Sequence, residues 1–66
     1  MTYTTLKELE IGERFVPQNG KYPPFKVIGK PEFNIRHGSA TRICFNERSR
    51  RNESKSCRLR VIKLPM

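Results

Sequence analysis

The chain has 66 residues, 35% of them hydrophobic, enough for one small core and too few for a second domain. Fourteen Lys and Arg against six Asp and Glu give a formal net charge of +8, a bias that favours nucleic acid, an anionic surface or an acidic protein patch as partner. A deep, water-excluding catalytic pocket is hard to enclose at this size, so length and composition argue against an enzyme.

The N-terminal stretch Met1 to Glu10 lacks the basic-then-apolar pattern of a signal peptide. No apolar run approaches the roughly 20 residues that cross a bilayer. A soluble, cytoplasmic protein with no membrane partner is therefore the expectation. Thr5 followed by Glu8 fits a capping box, and Leu6 and Leu9 fall on one helical face before Gly12 stops the turn. This predicts one short helical turn laid over the end of a barrel. Glu13 to Val16 is the first strand candidate, followed by the Asn19-Gly20 tight-turn signal. Tyr22-Pro23-Pro24 leads into a second strand, Phe25 to Gly29, and Val16 is expected to face Phe25 across this hairpin.

Phe33 and Ile35 alternate within Glu32 to Arg36, and His37-Gly38-Ser39 reads as a turn. Thr41 to Phe45 is the clearest strand, with Thr41, Ile43 and Phe45 on one face and Arg42 and Cys44 on the other. Asn46 to Ser56 contains no apolar residue and reads as an exposed, flexible basic loop. The last strand, Cys57 to Leu64, alternates Cys57, Leu59 and Val61 against Arg58 and Arg60. Ile62 and Leu64 break that alternation, which suggests a bulge or a change of face. Short strands about ten residues apart, with turn signals between them, define one all-β domain over residues 1–66.

Two stretches, Leu6-x-x-Leu9-x-x-Gly12-x-x-Phe15 and the closing Val61-Ile62-Lys63-Leu64-Pro65, make the chain resemble small bacterial and phage proteins with SH3-like barrels. The resemblance implies an SH3-like barrel of four to five short antiparallel strands with one short N-terminal helical turn. It carries over no functional residues, because such barrels bind RNA, DNA, peptides or other subunits.

Little in the chain suggests reaction chemistry. His37 is the only histidine, it stands in a turn, and the carboxylates are scattered among basic residues. No glycine-rich phosphate loop is present. Structural zinc takes four Cys or His ligands, and this chain has three such residues without a close pair; no metal or other cofactor is expected. Cys44 and Cys57 could approach each other if the last two strands form a hairpin, although a reducing compartment favours free thiols in a core position.

One feature rises above this background. From Arg42 to Lys63 there are eight basic residues against two acidic ones, a net of +6. Arginine dominates the tract, and its planar fork suits phosphate. The expected function is therefore non-enzymatic binding of nucleic acid, RNA or DNA, through an Arg-rich hairpin over residues 42–63. Arg42, Arg58 and Arg60 are read as fixed contacts on an exterior face, and Arg48, Arg50, Arg51 and Lys55 as loop contacts that order on binding. The alternative is a protein-interaction module or small accessory subunit that binds an acidic protein partner, with an exposed apolar edge near Ile62 and Leu64. The phenylalanines are assigned to the core rather than to base stacking.

Overall fold

The computed structural model describes residues 3–18 and 23–65, so the Asn19-Gly20 turn signal and Tyr22 lie outside the described residues. Within them the chain is all-β, as expected. The strands are β1 (Tyr3–Thr5), β2 (Arg14–Pro17), β3 (Phe25–Val27), β4 (Glu32–Asn34), β5 (Ser39–Asn46), β6 (Arg51–Ser56) and β7 (Arg60–Lys63), with a 3₁₀ turn at Leu6–Glu8. That is two more strands than expected, β1 and β6. All pairings are antiparallel.

The sheet runs β1-β7-β2-β3-β5 and curls into a barrel-like fold. Strand β5 is the longest element and organises one side. Cys44 to Asn46 pair with β3 and Ser39 to Thr41 with β4, so β3 and β4 follow one another along the same edge. Strand β6 takes the opposite edge of β5 over six consecutive pairs, from Asn46↔Arg51 to Thr41↔Ser56.

The core is small and closed by aromatic and aliphatic side chains: Leu6, Leu9, Phe15, Phe25, Val27, Cys44 and Val61 are buried together, with Leu59 packed against them. Phe15 lies opposite Phe25, and their rings stack at 5.6 Å, within the favourable range for aromatic pairs. Phe15, not Val16, is thus the partner of Phe25, because this register puts both rings on the buried face and Val16 on the other. Val16 lies instead on the outer face opposite Ile62, which is opposite Tyr3 on its other side. This outer stripe explains why Ile62 breaks the alternation. The ladder continues regularly through Ile62, and the position is apolar because neighbours on both sides half-cover it.

The N-terminal turn covers the barrel end as predicted, burying Leu6 and Leu9. Its amides are used: Leu6 N donates to Leu59 O at 2.9 Å and Lys7 N to Cys57 O at 3.1 Å. The capping box is not formed, since Thr5 makes no side-chain cap; Thr4 Oγ1 instead donates to Glu8 Oε2 at 2.5 Å. Gly12 ends the segment at φ +97°, a left-handed conformation that glycine adopts at little cost, and its amide donates to Val27 O at 2.8 Å.

Residues 46–56 are not one flexible loop. Only Glu47 to Arg50 form the turn, and Arg51–Ser56 is strand β6. An all-polar strand is stable here because its hydrogen bonds come from β5 and its side chains need no core. Polar and charged residues on an edge strand also discourage unwanted pairing with other chains. It follows that β5 forms its hairpin with β6, while β7 returns to β1 and β2. The predicted pairing of the Thr41–Phe45 strand with the Cys57–Leu64 strand does not occur. Cys44 and Cys57 are both buried free thiols.

Candidate functional site

Six arginines of the basic tract separate into three groups, and Lys55 stands apart from them. Arg42 is not on an exterior face. It is 3% exposed and lies on the same side of β5 as Cys44, facing the core. Its guanidinium donates to Gly29 O and Leu6 O, each at 3.0 Å, and to Leu9 O. The three carbonyls belong to two segments far away in sequence. Two of them belong to the N-terminal turn and its cap: Leu6 O also accepts from Leu9 N at 3.3 Å, and Leu9 O takes its bond from Arg42. Arg42 thus fastens the N-terminal turn and the β3–β4 connection to the middle of β5, and it has no surface left for a ligand.

The second group sits at the tip of the β5–β6 hairpin. Arg48 and Arg50 are in the turn and Arg51 opens β6, and all three are exposed. The turn that presents them is well tied. Asn46 Oδ1 accepts from Arg48 N at 2.9 Å and Ser49 N at 3.1 Å, and Asn46 O accepts from Arg50 N at 2.7 Å. Asn46 Nδ2 donates to Glu53 Oε2 at 2.8 Å across the hairpin. Arg50 takes φ +60°, the left-handed region that side chains other than Asn, Asp and Gly rarely enter. Among the described residues the ion pairs are Arg14–Glu47, Lys55–Glu53 and Lys63–Glu13, so none of the three tip arginines is neutralised by a carboxylate.

Both acids of the tract are engaged elsewhere. Glu47 receives a two-pronged bond from Arg14 at 2.8 and 2.9 Å, which holds its carboxyl below the usual range. The hydrogen bond from Asn46, then that from Lys55, does the same for Glu53. Lys55 is itself occupied. It pairs with Glu53 at 3.1 Å and stands 4.8 Å from the centroid of the Phe25 ring, half-buried over the barrel rather than extended to solvent.

The third group is Arg58 and Arg60, exposed near the other end of the hairpin. At about 3.3 Å per residue, β6 places Ser56 roughly 17 Å from Arg51, so these two form a patch separate from the tip. The Arg60 guanidinium lies 5.7 Å from the Tyr3 ring centroid. Arg58 shares a depression of about 490 Å³ with Lys7, Thr5, Ser39 and Ala40. Lys7 was missed by the sequence reading, because only the docking of the N-terminal turn on Cys57 brings it beside Arg58.

Other features have different chemistry. A groove of about 600 Å³ is lined by Leu9, Ile62 and Leu64 together with Glu8, Glu13 and Lys63. The hydrogen bond from Lys63 lowers the Glu13 pKa, so Glu13 and Lys63 are paired there, and Glu8 accepts from Thr4 Oγ1. Ile62 and Leu64 are half-buried, and β7 lies between β1 and β2, so no exposed apolar edge exists at that point. Burial pushes the Cys44 thiol up to about 11, leaving it protonated and unreactive near neutrality. Among the described residues no three His, Cys, Asp or Glu side chains gather into a metal-sized cluster, and no helix is long and apolar enough to cross a membrane. Comparison of the chain with protein-family models, with curated proteins and with solved structures finds no match.

Proposed function

We propose that this protein is a non-enzymatic, cytoplasmic binding module of SH3-like type that holds the phosphate backbone of a nucleic acid against the tip of its β5–β6 hairpin. The observation that carries this reading is the set Arg48, Arg50 and Arg51: three exposed guanidiniums without carboxylate partners, presented by a tightly hydrogen-bonded turn. Arginine makes forked, charge-assisted bonds to phosphate, and a turn that is already ordered loses little entropy on binding. Arg58, with Lys7 beside it, forms a second contact past the far end of β6, a strand of about 17 Å that five steps of duplex at about 3.4 Å each match in length. Arg42 serves the fold and not the ligand, and Lys55 has only a minor part.

The test is a fluorescence-anisotropy titration of labelled RNA and duplex DNA at low and near-physiological salt, with wild type and with R48Q/R50Q/R51Q. Binding that survives near-physiological salt and collapses in the triple variant supports the reading. A second reading has a specific observation in its favour: among the described residues the far edge of β6 pairs with no strand, and such an edge can accept a strand from an acidic partner protein. Weak binding that ignores polymer type and vanishes with modest salt selects that reading instead.

A further inference from the structure

The β4–β5 hairpin carries an aromatic ring that the core does not use. Phe33 is 70% exposed and Ile35 is 87% exposed, although the chain is short of apolar residues and burying a phenylalanine contributes roughly 1.5–3 kcal/mol. Among the described residues, strand β4 pairs with the first residues of β5, Ser39 to Thr41, before the stretch Cys44 to Asn46 where β3 flanks that strand. Phe33 borders a depression of about 160 Å³ whose other walls include Gly29, Lys30, Glu32, Thr41, Ile43 and Ser54. Its floor is close-packed, since a Cβ on Gly29 would stand 3.2 Å from Ile43 Cβ.

The surroundings are cationic. Lys30 and Arg36 are exposed on either side of β4, with Glu32 as the only acid between them. On the flank of the same hairpin, Gly38, Ser39 and Ala40 share a depression with Lys7 and Arg58. Two apolar side chains cover far less than the roughly 800 Å² per partner of a stable protein interface. One ring is, however, enough for a base, since every nucleobase has a face that stacks and aromatic platforms beside cations are how unpaired strands are held.

We propose that Phe33 is a stacking platform for one unpaired nucleobase of a single-stranded nucleic acid, with Lys30 and Arg36 holding the flanking phosphates. This rests on the nucleic-acid reading but uses a different surface, at the opposite end of β5 from the arginine tip. It specifies the ligand as a strand with at least one unstacked base.

The experiment compares a labelled single-stranded oligonucleotide with a duplex of the same length, using wild type, Phe33→Ala, Phe33→Trp and R48Q/R50Q/R51Q. An exposed side chain can be truncated without loss of the fold, which circular dichroism verifies. Phe33→Ala is expected to weaken single-strand binding roughly 5- to 150-fold, leave duplex binding and the salt slope unchanged, and be rescued by Phe33→Trp. If Phe33→Ala binds the single strand as wild type does, while the tip variant loses both polymers, the platform is wrong and the tip reading stands. If wild type binds neither polymer at near-physiological salt, both fall together. Sedimentation supplies a last arm: a wild-type dimer that Phe33→Ala converts to monomer, with single-strand affinity unchanged, assigns Phe33 to a self-contact and overturns the platform.

Discussion

Arg42 brings a positive charge into the barrel and meets carbonyl oxygens there rather than a carboxylate. Removing it takes the donor from Gly29 O and Leu9 O, while Leu6 O keeps Leu9 N, and each acceptor left unpaired costs about 1–3 kcal/mol. Arg42→Met is therefore expected to destabilise the protein by about 3 kcal/mol or more, a large part of what a domain of this size has. Arg42→Lys, which keeps the charge but loses the planar fork, should fall between the two. Urea unfolding followed by circular dichroism reads both, and a midpoint for Arg42→Met within error of wild type would refute the fastening role. The alternation of β5 was legible in the sequence, and so was the sharing of one face by Arg42 and Cys44. Which face turned inward was not. Ile43 and Phe45 look like core residues, and an arginine looks like surface until three carbonyls from distant segments converge on it. Cys44, a residue type often fully buried, was the one local sign of the true orientation.

At the scale of the element, the β5–β6 hairpin shows how composition misleads. A run of Arg, Asn, Glu, Ser and Lys has poor strand propensity and no alternation, yet β6 forms, because β5 is fixed by the core and offers it an open edge. Asn46 and the left-handed Arg50 then set the turn. The same reasoning explains why β4 and its exposed phenylalanine were read as core: alternation was visible, but not that the Phe33 face of β4 is left open. In the turn, fold and function can be separated at Arg50. Glycine reaches positive φ without strain, so Arg50→Gly should leave stability unchanged or raise it by up to about 1 kcal/mol. It also removes one of the three tip charges and should weaken nucleic-acid binding. A thermal melt and an anisotropy titration on the same preparation check the pair of outcomes. Loss of stability together with loss of binding would mean that the Arg50 side chain supports the turn rather than the ligand.

For the whole molecule, charge acts on stability and on binding in different ranges of solution condition. Glu13, Glu47 and Glu53 all have their pKa lowered in the folded state, chiefly by Lys63, Arg14 and Asn46 respectively. A lowered carboxylate stabilises the fold fully above its unfolded value of about 4.3, and that contribution is lost as pH falls through the folded values. The urea midpoint is thus expected to hold steady from neutrality to about pH 5 and to drop below about pH 4; a midpoint unchanged down to pH 3 would contradict these pairings. Binding is governed instead by salt, since each phosphate neutralised releases counterions. The tip offers three arginines and the second patch offers Arg58 and Arg60. R48Q/R50Q/R51Q should reduce the slope of log affinity against log salt by about 2–3, and R58Q/R60Q by up to about 2, if one duplex touches both patches. The two losses should add, because β6, a strand of about 17 Å, lies between the patches, longer than the distance at which substitutions usually couple. If R58Q/R60Q leaves the slope unchanged while the triple variant flattens it, the ligand contacts the hairpin tip alone, and the Lys7–Arg58 depression then belongs to no duplex. A slope that neither variant alters would refute both arginine patches as phosphate contacts.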